Sequence, residues 1–111
     1  MASGPRVFII HDLGKLNFLP AEEYGRVIPC IQGHVSPTSV SKTIQRLQKA
    51  LEDITVDDYL VAAGHPALIA AAGAIQVDAT GVLKMLCWDN QAKRYARIEE
   101  IIYDDDFGSG D

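Results

Sequence analysis

Much of the usual functional equipment is missing from this chain of 111 residues. Its two cysteines, Cys30 and Cys87, each sit inside an apolar run. That excludes a multi-disulfide scaffold and predicts two small buried hydrophobes in a reducing compartment. Positive charge is in deficit: ten Lys and Arg face fifteen Asp and Glu, for a net charge of -5. General nucleic-acid binding usually shows a basic surface, so nucleic acid is disfavoured as a partner, as is attachment to anionic membranes. No apolar run is long enough to span a bilayer. The longest is interrupted by His65 and Pro66, and its helical part stops well short of the ~20 residues a span needs. No secretory leader is visible in Met1–Pro5, so a cytoplasmic protein is expected. The chain also lacks G-x-G-x-x-G, a Walker sequence and a G-x-S-x-G elbow. We therefore expect no catalytic residue, no metal set and no cofactor.

What the chain does contain is an ordinary core. Hydrophobic residues make up 48% and charged residues 23%, as in a soluble globule of one domain. The pattern predicts one α/β domain over residues 1–103 and a disordered acidic tail over 104–111, where Asp, Gly and Ser dominate.

Arg6–Ile10 is β-branched and reads as a first strand ending at His11-Asp12. Leu13–Gly25 is broken by Gly14 and Pro20, with a helical turn expected at Ala21–Tyr24. Arg26–Gln32 is a second strand. Pro29 removes a donor from it, which places it at a sheet edge or makes it bulged. Ser36-Pro37 opens a helix, with serine as cap and proline at the first helical position. Val40, Ile44, Leu47, Leu51 and Ile54 then recur at helical spacing, with Lys42, Arg46 and Lys49 opposite.

The densest signal is Asp57–Ala79. Tyr59–Ala63 does not alternate, so both of its faces should be buried, as in a parallel sheet. Gly64-His65-Pro66 turns the chain into a helix in which, from Ala67 to Ala79, only Gln76 and Asp78 are polar. Such a helix should be covered nearly all round. Gly81 ends it. Val82–Trp88 and Arg94–Ile102 then form a hairpin around the turn residues Asp89-Asn90-Gln91. The order β-β-α-β-α-β-β predicts a small α/β sandwich on a mixed, mostly parallel sheet, with an antiparallel strand at one edge.

The segments SPTSVSKTIQRLQKAL, DDYLVAAGHPALI and LKMLCWDNQAKRYARIE resemble a group of small uncharacterised proteins encoded by tailed bacteriophages. In that group a Ser-Pro helix start precedes an Asp-Asp-Tyr-Leu strand, a Gly-x-Pro turn, an apolar helix and a Trp-Asp hairpin. The resemblance covers about Ser36 to Glu99. It implies a phage accessory protein in the host cytoplasm and brings no activity with it.

Three places could carry a ligand. Gly64, His65, Pro66 and Ala67 lie at the carboxyl end of a predicted parallel strand and at a helix N-terminus, where open α/β sheets bind ligands and free N–H groups favour anions. A nucleotide or another small anion would suit that turn. His11, His34 and His65 each follow a strand; if the strands run parallel they could gather near Asp12 as zinc ligands, although unrelated loop histidines are the simpler reading. The hairpin Lys84–Arg97 interleaves Lys84, Lys93, Arg94 and Arg97 with Trp88 and Tyr95. That arrangement could stack on bases or simply protect an edge strand by charge. The acid pairs Asp57-Asp58 and Glu99-Glu100 read as turn caps and solvated faces. The resulting expectation is a non-enzymatic protein that acts by binding a host or phage protein, as a homo-oligomer joined through its apolar helix. The alternative is a domain that binds an anion at Gly64–Ala67.

Overall fold

The computed structural model describes Gly4–Tyr103; the expected acidic tail lies outside the described residues. β1 (Arg6–Asp12) is followed by a 3₁₀ turn (Leu19–Tyr24), β2 (Arg26–Gln32), a second 3₁₀ turn (Pro37–Ser39) and α1 (Val40–Ala50). β3 (Tyr59–Val61), α2 (Pro66–Thr80), β4 (Val82–Asp89) and β5 (Arg94–Ile101) complete the chain. The five strands form one sheet in the order β2-β1-β3-β4-β5. The first four are mutually parallel, and β5 runs antiparallel to β4. This is the expected α/β class and element order. The spatial order adds that the first strand lies inside the sheet, between β2 and β3.

The connections β2–α1–β3 and β3–α2–β4 cross the sheet in the same direction, so right-handed crossovers put both helices on one face. There Leu47, Leu51, Leu68 and Ala72 pack with Phe8, Ile10 and Leu60. The β1–β2 connection travels the other way. Its 3₁₀ turn brings Phe18 and Ala21 to the opposite face, against Val7, Ile9, Tyr59, Val61, Leu86 and Tyr95. β3 is buried on both faces, as its unbroken apolar pattern requires. β2 pairs only with β1 and carries Pro29 opposite Ile9, so it is an edge strand.

Local chemistry moves some boundaries. Pro37 begins a 3₁₀ turn rather than α1, and the Ser36 hydroxyl bonds the Thr38 hydroxyl at 2.8 Å instead of capping a backbone N–H. α1 ends at Ala50, and Ile54 reaches the core from the turn beyond it. α2 is not covered all round: Leu68, Ala72, Gly73 and Gln76 are buried, whereas Ala70 and Ala74 are exposed. An alanine methyl offers little area to water, so an open stripe of alanines costs little.

Gln76 is the polar residue that the apolar helix buries, at 1% exposure. β3 and β4 are in register only at Leu60–Met85 and Val61–Leu86. Beyond that pair the strands part, and the Gln76 amide fills the gap. Its oxygen accepts from the Lys84 N–H at 2.9 Å, and its nitrogen donates to the carbonyls of Lys84 at 3.2 Å and Asp58 at 3.4 Å. Gln76→Leu leaves these backbone groups unpaired, at about 1–3 kcal/mol each when buried. We expect a urea midpoint lowered in proportion to a loss of about 3 kcal/mol or more, with an unchanged slope.

Candidate functional site

The chain leaves β1 toward β2 and leaves β3 toward β4, so the strand order reverses between β1 and β3. The crevice beyond their carboxyl ends is the usual ligand position in open α/β sheets. In this protein a side chain occupies it. His11, the penultimate residue of β1, is 3% exposed. Its Nδ1 accepts from the His65 N–H at 2.9 Å, which leaves the ring proton on Nε2, and Nε2 donates to the Gly33 carbonyl at 2.6 Å. One imidazole thus ties together the segments that follow β1, β2 and β3. Gly64 lies against this ring with φ +102; a Cβ there would overlap Cβ of His11.

The turn expected to cradle an anion is therefore organised from within. Pro66 has no N–H. The Ala67 N–H donates to Nδ1 of His65 at 3.0 Å, and the Leu68 and Ile69 N–H groups donate to the His65 carbonyl. His65 is the N-cap of α2, and an anion bound at Gly64–Ala67 would take the place of its ring. His11 and His65 do meet, through ring and backbone. His34 is exposed, and among the described residues no group of three His, Cys, Asp or Glu side chains is placed to hold a metal ion.

At the opposite, amino edge of the sheet, Asp58 is 2% exposed and its two oxygens accept five hydrogen bonds. Three come from Arg6, including a 2.8 Å contact from Nη2, and two from Thr55. Burial pushes this carboxyl up. The Arg6 guanidinium and the backbone N–H groups of Thr55 and Arg6 outweigh burial and hold it below the ordinary carboxylate range. Asp58 is thus a structural clamp and Asp57 beside it is exposed, which matches the turn-cap reading of the pair. Burial pushes the Cys30 thiol up to about 12, far from the thiolate a nucleophile needs.

The exposed chemistry gathers on the β4–β5 hairpin and the 3₁₀ turn near it. Trp88 and Tyr95 stand opposite one another, ring centroids 5.1 Å apart and edge to face. The Tyr24 hydroxyl donates to the Tyr95 carbonyl at 3.2 Å, and its ring lies 5.6 Å from that of Tyr59. Two surface cavities adjoin this cluster. One of about 560 Å³ runs beside Arg94–Arg97, with Glu23, Tyr24 and Asp89 across it. The other, about 290 Å³, is lined by Leu16, Pro20, Trp88 and Tyr95 among others. Of the basic residues proposed to meet bases, Lys84 lies over the Tyr59 ring and donates to the Val56 carbonyl at 2.9 Å. Arg97 pairs with Glu99 at 2.9 Å. Tyr24 was not singled out by sequence, because it lies in an irregular segment without periodicity. Its only signal was an aromatic ring in a turn bounded by Pro20 and Gly25.

Neither the curated proteins nor the solved structures give a match to this chain. A protein-family model does, and it extends the phage resemblance beyond Ser36–Glu99 to take in β1, the 3₁₀ turn and β2. The match runs from residue 5 to residue 101, the whole sheet, and the chain belongs to the Phage Pam3 gp32-like protein family.

Proposed function

We propose that this phage protein is a non-enzymatic accessory protein that acts in the host cytoplasm by binding a protein partner, host or phage, through the hairpin face. The carrying observation is where its large exposed apolar side chains lie. Five of the nine among the described residues, Trp88, Ile98, Ile101, Ile102 and Tyr103, belong to the β4–β5 hairpin or its exit. A sixth, Leu16, shares a cavity with Trp88. Exposed apolar surface marks interaction sites, and an aromatic anchor beside a pocket, as Trp88 is beside Leu16, is a common hot spot. The polar groups that could have supplied chemistry support the same reading, since His11, His65, Asp58 and Gln76 are all engaged in internal hydrogen bonds. Self-association is part of the proposal. α2 presents Ala70 and Ala74 to solvent, a smaller apolar surface than the hairpin.

The test compares capture from a lysate of phage-infected cells by the wild-type chain and by a Trp88→Asp/Leu16→Asp variant. A polypeptide retained by the first and lost by the second is expected. Identical capture by both overturns the hairpin as the binding face. In a parallel thermal-shift screen, several degrees of stabilisation by one nucleotide or by inorganic phosphate would move the function to Gly64–Ala67.

A further inference from the structure

We propose that two copies of this chain pair antiparallel along β5, with Arg97 of each copy opposite Glu99 of the other, so that the two sheets become one. The inference rests on the self-association reading and supplies its interface. The sheet has two edges that differ in chemistry. β2 is interrupted by Pro29, which cannot donate to a neighbouring strand. β5 has eight residues with neither proline nor glycine, and such an edge is a template for another strand.

The hydrogen bonds of the hairpin show which backbone groups are free. The Ile102 N–H donates to the Gly81 carbonyl, and the Lys84 N–H and carbonyl turn away from β5 to the Gln76 amide. In an antiparallel pair the inward and outward groups alternate. Arg97, Glu99 and Ile101 therefore aim their N–H and C=O groups out of the sheet. Tyr95 does the same, but its carbonyl already accepts the Tyr24 hydroxyl, so the free edge begins at Arg97.

Two-fold pairing of this edge sets outward residue against outward residue, and four registers are centred on the charged stretch Arg97–Glu100. Centring on Arg97, on Glu99 or on Glu100 places that residue opposite itself. Like charges directly opposite are destabilising. Centring on Ile98 places Arg97 opposite Glu99 twice. Because Arg97 already lies 2.9 Å from Glu99 on its own strand, the four charges then alternate in sign across the junction. The same register brings Ile98, 37% exposed, against the Ile98 of the second copy at the two-fold axis. Charge and apolar surface thus select one register, and it is isologous, as closed dimers require.

Sedimentation of the full chain at low ionic strength tests this with Arg97→Glu, Glu99→Arg and an equimolar mixture of the two, circular dichroism serving to confirm that each variant is folded. Each single change places like charges both within a strand and across the junction. In the mixture only the contact between the two different chains becomes complementary, so recovery there cannot come from the intrachain pair. A wild-type dimer, two monomeric variants and a dimeric mixture are expected. Variants that dimerise as tightly as wild type overturn the β5 interface and leave self-association standing elsewhere. A mixture that stays monomeric overturns the register. A monomeric wild type overturns this interface and the self-association reading together, without touching partner capture by the hairpin face.

Discussion

Replacing Asp58 by alanine should lower the unfolding free energy by about 3–5 kcal/mol, the usual loss when one member of a buried ion pair is removed. A domain of this size has roughly 5–15 kcal/mol in total, so the variant should be close to unfolding at physiological temperature. Alanine leaves the Arg6 side chain and N–H, and the Thr55 N–H and hydroxyl, without the acceptor they share. Arg6 keeps Asp53, which is exposed and contributes little. The loss also uncouples secondary structure, because Arg6 opens β1 and Asp58 directly precedes β3. Asparagine in place of Asp58 keeps the shape and loses the charge, and should fall between wild type and alanine.

The same carboxylate gives a pH dependence of known sign. Its folded-state pKa is depressed, so its stabilisation is fully present above the unfolded value, about 3.9, and is lost as pH falls through the folded value. Urea midpoints of the wild type should hold at and above about pH 5 and fall below about pH 4. The asparagine variant should start lower and lose less over that window. A variant that follows the wild-type curve in parallel would show that Asp58 does not carry this acid sensitivity.

Gly64→Ala is the second large change, at on the order of 4 kcal/mol. Part of it is backbone strain, since an L residue at φ +102 costs about 1–3 kcal/mol. The rest comes from His11. The new methyl overlaps Cβ and the ring of His11, so the imidazole must move and lose its bonds to His65 and Gly33. Gly33→Ala is the control: φ is +86 there, but a Cβ meets nothing within 4 Å, and strain alone should remain. Truncating the ring in a His11→Ala/Gly64→Ala double variant removes the overlap. The double variant should then be more stable than the sum of the single losses predicts. Strict additivity in that cycle would mean that the ring and the glycine do not constrain each other.

These two clasps show where sequence reading succeeds and where it stops. Whatever depends on neighbours in the chain was legible. β2 runs from Arg26 to Gln32 as its apolar run and Pro29 suggested. The turn at Gly64–Pro66 was placed correctly between a buried strand and an apolar helix, because glycine and proline act locally there. The partners of that turn were not legible. The acceptor for the His65 N–H is a ring 54 residues earlier, and nothing near His11 in the chain advertises it. Asp58 could be read as a turn residue, but its pairing with Arg6, 52 positions away, requires the strand order. Gln76 stood out only as one of two polar residues on an apolar helix, and the short register between β3 and β4 explains why it is buried. The hairpin was legible as a hairpin at one edge of the sheet, and Pro29 marked β2 as an edge or bulged strand; that the two close opposite ends of one sheet emerges only from the strand order.

The position of β1 also has a consequence for how the protein is made. Of the five strands, the earliest to leave the ribosome becomes an inner strand of the sheet, and its neighbour β3 is synthesised some fifty residues later. Until β3 arrives, Val7, Ile9 and Phe8 have β2 on one side and no partner on the other. Closure across such long separations is slow compared with local pairing, and a waiting apolar strand is prone to wrong partners. The β4–β5 hairpin, made last, is by contrast a local structure that can form at once. Assembly should therefore be limited by the middle of the sheet rather than by its outer edge, and the arrival of Asp58 beside Arg6 is the event that ends the exposure of β1.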